Sequence, residues 1–203
     1  MSSKVQNHEY RFEALRKALQ VYSDATQGTP AALDPGTQAA VSVVLRGTNT
    51  LDLLMIKRAY FDDDPWSGQM ALPGGRRDDT DVDLFQTAIR ETMEETALDL
   101  GLSAQHLGQL NDLKPSAVHL PELTITPFVF IVEPDTEASI ASPEIDQIFW
   151  VSIDDLRGHD RSSSVEIPMP NGHKQGFPCY MVEGQPVWGL TFRIISKLLQ
   201  VLA

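Results

Sequence analysis

The stretch from Gly74 to Leu98, GGRRDDTDVDLFQTAIRETMEETAL, decides how the chain is read. Its second half has the spacing of a helix running from Asp83 to about Leu98. With Glu91 as the origin and about 100° per residue, Glu94 falls near −60° and Glu95 near +40°. Three carboxylates therefore share a face roughly 100° wide. Phe85, Ile89 and Met93 fall at about 120°, 160° and 200°, with Thr92 and Thr96 near them, so the pattern predicts that the opposite face meets the core. Like charges at i, i+3 and i+4 destabilise an isolated helix. A divalent cation would compensate them, because hard cations take carboxylate oxygens. Arg90, beside them, can orient the carboxylates through paired hydrogen bonds. The same RETMEE pattern also occurs as a plain solvated face.

Two neighbours favour the cation. Gly74-Gly75 precedes the helix and reads as a turn whose backbone amides can approach an anionic ligand closely. A short strand, QMALP (69–73), feeds that turn and brings it near the acidic face.

The charge balance agrees. The 203 residues carry 16 Lys and Arg against 28 Asp and Glu, a net −12. Residues 60–100 hold eleven of those acids against three arginines, so −8 of the −12 lies there. Such a chain lacks the basic face that nucleic acid requires. It suits an anionic ligand held through a cation. A single cysteine, Cys179, excludes a disulfide framework and multi-cysteine metal sites, and reads as a packed apolar residue. The five histidines (8, 106, 119, 159 and 173) show no metal-ligand spacing. Apolar runs such as FVFIV (128–132) are too short to cross a bilayer, and MSSKVQN has no secretory character. The expectation is a cytoplasmic protein without nucleic-acid or membrane partners.

Outward from the acidic helix, residues 8–22 place Phe12, Leu15, Leu19 and Tyr22 at helical spacing, and 23–37 read as a connector. AAVSVVLRG (39–47) and LDLLMIKRA (51–59) predict a strand pair. LTITPFVFIVE (123–133) and DQIFWVSI (146–153) are further strands, and IDDL starts a short helix. Residues 158–176 read as a mobile loop, and GFPCYMVEGQPVWG as a hairpin turning at Glu183-Gly184. LTFRIISKLLQVLA then puts Phe192, Ile195, Leu198, Leu199 and Leu202 on one side of a terminal helix. Helices interleaved with strands predict a layered α/β domain. The organisation expected is 1–37 as helix and connector and 38–203 as the functional domain.

The stretch resembles the Nudix box, G-x5-E-x7-R-E-U-x-E-E-x-G-U, where U is bulky and aliphatic. Gly75, Arg90-Glu91, Glu94-Glu95 and Leu98 match it. Arg90 follows Gly75 by fifteen residues instead of fourteen, Asp81 or Asp83 stands where the first Glu is expected, Thr92 takes an aliphatic position, and Ala97 replaces the last Gly. The flanks SGQMALPGGRRD, TITPFVF, SPEIDQIFWVSIDDL and PVWGLTFRI look like the coenzyme A pyrophosphatase branch. Leu54, Arg58, Ala59, Gly68 and Leu72-Pro73-Gly74-Gly75 follow that branch's upstream fingerprint, but its second Arg has no counterpart in YFDDDPW (60–66).

The resemblance implies an α/β/α Nudix sandwich with a mixed β-sheet. It implies a Mg²⁺-dependent pyrophosphohydrolase, with Mn²⁺ as the alternative cation, acting on a small-molecule nucleoside diphosphate derivative. Glu91, Glu94 and Glu95 would hold the metal, and Glu94 or Glu144 would take the proton from water. Arg90 would align the ligands, and Gly74, Gly75 and Arg58 would meet the substrate. Trp66 is a candidate for stacking on a base. A homodimer is left open by the N-terminal helix and the closing hairpin. The alternative is a catalytically silent Nudix-fold binding module; retention of all three acids speaks for the enzyme. An isomerase on this fold would need a Cys early in the sheet, and Cys179 is far downstream.

Overall fold

The computed structural model describes residues 12–20, 37–62, 66–115, 123–158, 163–168 and 172–203. Tyr22, most of the 23–37 connector, and His8, His119 and His159 lie outside the described residues.

Two long apolar runs build the centre. Strand β1 (Gln38–Gly47) turns through residues 48–50 into β2 (Leu51–Arg58), and the antiparallel register pairs Leu45 with Leu53. β3 (Met70–Ala71) pairs with β2, and β4 (Gly74–Arg76) pairs with the start of β1. Helix α2 (Leu84–Thr96) and the short α3 (Leu100–Ser103) follow the N-terminal helix α1 (residues 12–20) in chain order. β5 (Ala104–Gln109) lies antiparallel to β6 (Thr124–Val132), which runs parallel to β1 over nine residue pairs. β7 (Ile145–Ser152) closes the far edge against β2. The result is a mixed sheet of seven strands. β6 is buried throughout, as a strand covered on both faces must be.

Alternation along the central strands sends Val43, Leu45, Leu53 and Met55 to one side. There they meet Leu15 and Leu19 of α1, Leu156 of α4 (Ile153–Gly158), and Ile194, Ile195, Leu198 and Leu199 of α5 (Gly189–Val201). Ala40, Val44, Leu54, Phe128 and Phe130 point the other way, onto Ala88 of α2 and Leu98 and Leu100 beyond it. This is the expected α/β/α sandwich.

Three local expectations are corrected. The double glycine is no turn: Val41 pairs with Gly74 and Ala40 with Gly75 in a strand. Part of the supposed mobile loop is a hairpin, β8 (Ser164–Pro168) against β9 (Lys174–Pro178), because backbone pairing needs no apolar pattern. The third correction concerns α2, whose buried residues are Thr87, Ala88, Thr92, Glu95 and Thr96, while Met93 is 45% exposed. Small side chains let this helix lie close on β1, where the Thr92 hydroxyl sits 2.7 Å from Ser42 Oγ and Ser42 Oγ donates to the Ala88 carbonyl (3.1 Å). Glu95 is carried inward on the same face. The expected hairpin of β10 (Tyr180–Val182) and β11 (Gln185–Val187), turning at Glu183-Gly184, is present.

α2 begins at Asp83, whose carboxylate accepts the Gln86 N–H (2.9 Å), an N-cap that an acid fills well. It ends at Ala97 in the left-handed region (φ 55°, ψ 14°), with the Ala97 N–H bonded to the Met93 carbonyl. Glycine takes that conformation without the Cβ clash. Ala97→Gly should therefore stabilise the protein by about 1 kcal/mol, read as a higher urea midpoint at unchanged slope; a lower midpoint would contradict this account of the cap.

Candidate functional site

The site is built where α2 crosses β4. Gly74 has φ 149°, and a Cβ there would lie 2.3 Å from the Ala40 carbonyl oxygen of β1, so only glycine fits. Its N–H donates to Glu95 Oε2 at 2.9 Å. The anion that this amide meets is thus the protein's own carboxylate. Gly75 serves differently: a Cβ would fall 2.5 Å from the Glu91 carboxyl carbon. The missing side chain is the cradle in which Glu91 rests.

The three acids have unequal surroundings. Glu95 is 5% exposed, and burial pushes its carboxyl up to about 8, opposed by the Gly74 N–H and reinforced by the charge of Glu91. Burial also raises Glu91, with Arg90 pulling the other way. Glu94 stands in solvent. The expectation that all three acids share a face opposite the core is corrected accordingly, since Glu95 lies on the buried face itself.

Arg90 joins the parts through all five of its N–H groups. Nε and Nη2 grip the two oxygens of Asp81 at 2.9 Å each. Nη1 bonds Glu91 Oε1 (2.9 Å) and Glu94 Oε2 (3.1 Å), and Nη2 also reaches the Arg76 carbonyl (3.2 Å). Asp81 is buried and further accepts from the Asp78 N–H (2.9 Å) and the Thr87 hydroxyl (2.8 Å). The Arg90 guanidinium holds its carboxyl well below the ordinary range, despite burial. Of the two acids that stood for the first Glu of the motif, Asp81 is the one that meets Arg90, and Asp83 is the helix cap.

The other candidates arrive from the opposite edge. Arg58, at the end of β2, has Nη2 3.9 Å from Glu144 Oε2. The charge of Arg58 lowers Glu95, and that of Glu144 raises both Glu91 and Glu95, so all four belong to one electrostatic neighbourhood. The Ala59 N–H donates to the Glu144 carbonyl (2.7 Å). A strap before Glu144 is fastened to the end of α2, with Ser139 N–H on the Thr96 carbonyl (2.9 Å) and Ala141 N–H on the Glu95 carbonyl (3.1 Å). The sequence holds no signal for that strap, whose two bonds to the end of α2 are both backbone. Cys179 is buried and its thiol is raised by burial, in keeping with a packing role.

Among the described residues, no three His, Cys, Asp or Glu side chains already stand in a metal-holding arrangement. Arg90 draws Glu91 and Glu94 to itself instead. The donor chemistry nevertheless fits a hard divalent cation: buried Glu95 and half-buried Glu91 repel one another, with exposed Glu94 and Glu144 beside them.

Comparison with known proteins places this arrangement. The NUDIX domain profile matches residues 36–169, about two thirds of the chain. An uncharacterized protein of Schizosaccharomyces pombe is 33% identical over 132 residues, which are 64% of this chain and 40% of that protein. The chain thus matches less than half of that relative's length. An uncharacterized Nudix hydrolase, NudL, of Pectobacterium atrosepticum is 30% identical over 161 residues, 79% of this chain and 80% of the relative. Among solved structures, a MutT/nudix family protein from Enterococcus faecalis covers 99% of this chain and 73% of its own, at 18% identity and a TM-score of 0.49. On the extent of the profile match, the chain belongs to the Nudix hydrolase family.

Proposed function

We propose that the chain is a Mg²⁺-dependent pyrophosphohydrolase, with Mn²⁺ as the alternative cation. Its substrate would be a nucleoside diphosphate linked to another group, of the coenzyme A, nucleotide-sugar or ADP-ribose kind. The observation that carries this reading is Glu95, a buried acid whose carboxyl is pushed up to about 8 beside a second, half-buried acid, Glu91. Two such groups gain more from a divalent cation than from water.

Glu91 and Glu95 would hold the metal, with Glu94 as a further ligand. A bound divalent ion neutralises diphosphate oxygens and lowers the pKa of attacking water. Glu144 or Glu94, both exposed, would accept the proton. Arg58, whose Nη2 lies 3.9 Å from Glu144 Oε2, would orient the substrate through a phosphate oxygen. Arg90 would keep Glu91 and Glu94 in place, and Gly74 and Gly75 would set the spacing between strand and acids. The catalytic unit would be 38–203, onto which α1 packs.

A product screen over ADP-ribose, nucleotide sugars, dinucleoside polyphosphates and coenzyme A, with and without EDTA, tests the reading. Metal-dependent release of a nucleoside monophosphate product is expected. Tight binding without any product would favour the silent module.

The cradle offers a sharper check. Gly75→Ala should displace the end of the flexible Glu91 side chain and leave the fold nearly unchanged, with turnover falling roughly tenfold to a hundredfold. Gly74→Ala should instead push β4 off β1 and lower the melting temperature. Turnover unchanged in Gly75→Ala would remove Glu91 from the machinery.

A further inference from the structure

The row of β1 that faces α2 reads Ala40, Ser42, Val44, since alternate residues of a strand share a side. Ala40 and Val44 are apolar, and Ser42 between them is just as fully buried. Its neighbour across the layer is Thr92, also fully buried, at a position where the motif has a bulky aliphatic residue. Packing gives no reason for two hydroxyls at this depth, because an apolar pair of the same shape would fill the space about as well. What hydroxyls add is direction. Ser42 Oγ donates to the Ala88 carbonyl (3.1 Å), and Thr92 Oγ1 stands 2.7 Å from both Ser42 Oγ and that carbonyl oxygen. Three oxygens thus pin one turn of α2 to one residue of β1.

The backbone of Ser42 is tied as well, its N–H donating to the Pro73 carbonyl (2.8 Å). Bonded and unbonded pairs alternate along an antiparallel ladder. Gly74, the next residue and opposite Val41, therefore turns its N–H away from β1, and that N–H meets Glu95 Oε2 at 2.9 Å. The Pro73–Gly74 peptide is bonded at both ends, to Ser42 on one side and to Glu95 on the other. Thr92 lies three residues before Glu95 on α2, so the bonds close a circuit through Ser42, Pro73–Gly74, Glu95 and Thr92.

We propose that Ser42 and Thr92 are positioning residues, whose hydroxyl contact fixes the rotation and depth of α2 on β1 and so sets where the Glu95 carboxylate stands against the Gly74 N–H. The proposal rests on the metal-dependent reading above and adds to it two residues outside the acid set. Apolar contact is non-directional, so a helix lying on small apolar residues can turn or slide by fractions of an ångström with little change in buried area. A hydrogen-bonded pair resists that movement, because its strength falls steeply with angle. Glu91 directly precedes Thr92, so the same contact places both of the acids that would hold the cation. Partners that orient a ligand in this way commonly govern metal affinity without touching the metal.

Mn²⁺ binding to the full chain, followed by the paramagnetic signal of the free ion, tests the pair beside the melting temperature of the metal-free protein. Thr92→Val keeps the shape and removes the hydroxyl. It should weaken Mn²⁺ binding roughly tenfold at a nearly unchanged melting temperature, and Ser42→Ala should weaken binding likewise. Thr92→Ser keeps the hydroxyl and removes a buried methyl. It should melt lower yet bind Mn²⁺ like the wild type. A role in packing alone predicts the reverse order, and either that order or equal affinity in wild type and Thr92→Val would overturn the proposal. Hydrogen exchange of the Gly74 amide in EDTA reads the same contact without metal. It should be several-fold faster in Thr92→Val and Ser42→Ala and unchanged in Thr92→Ser; equal exchange in wild type and all three variants would also overturn the proposal. A wild type that binds no Mn²⁺ would end the metal reading, and the Gly74 amide would still decide whether the pair holds Glu95 in place.

Discussion

Glu95→Gln should reduce turnover at least about a hundredfold and, in the same molecule, make the metal-free protein more stable in alkali. The amide keeps an oxygen for the Gly74 N–H, so the bond at 2.9 Å has a successor. What disappears is the charge. In the wild type the folded carboxyl titrates at about 8, against 4.5 for a free glutamate. The folded state therefore keeps a proton that the unfolded chain has released. The resulting stability is complete below 4.5 and is lost as the pH rises through 8. At pH 9 in EDTA the variant should exceed the wild type by on the order of 3 kcal/mol, less than the full shift would give because neighbouring charges relax. At pH 4.5 the two should unfold at nearly the same urea concentration. A divalent cation should reverse the order at pH 9, by stabilising the wild type alone and expelling its proton. Parallel pH curves for the two proteins, or wild-type turnover in the variant, would end the assignment of Glu95 as a metal ligand.

The same residue shows where sequence reading ran out. Apolar periodicity located β1, β2 and β6 and the terminal helix because those elements bury aliphatic residues in the ordinary way. On α2 it succeeded only in part: Thr92 and Thr96 are buried and Phe85 and Ile89 pack against the core as expected, but Met93 faces outward while Thr87 and Glu95 face in. Polar side chains give no hydrophobic signal, and the burial of a carboxylate is a functional arrangement that runs against local preference. The identity of the acids was nevertheless legible, since REx2EE requires only spacing. Their environment was not, since it depends on β4, three residues long and two of them glycine. The roles of Asp81 and Asp83 were undecidable for a similar reason. They differ by two positions in a polar loop, and only the path of that loop sends one to Arg90 and the other to the helix terminus.

That difference gives the second large effect. Asp81→Asn should cost about 2 kcal/mol, because a buried amide presents an N–H to a guanidinium that needs acceptors, while half-buried Arg90 keeps its two other carboxylates. Arg90 keeps Glu91, Glu94 and the Arg76 carbonyl but loses the two bonds that orient its plane. Turnover should fall as well, roughly tenfold or more, through misplacement of Glu91. The pH dependence carries the sign of a depressed acid. The carboxyl of Asp81 lies below its ordinary 3.8 in the folded state, so its contribution is present above that value and vanishes as the pH falls through the folded one. Stability curves of wild type and variant should therefore lie apart at pH 7 and converge in strong acid. Asp83→Asn provides the control, since asparagine caps a helix about as well as aspartate, and it should change neither stability nor turnover appreciably. Equal effects at the two positions would mean that Asp81 does not act through Arg90, and the tie between the loop and the acids would have to be sought elsewhere.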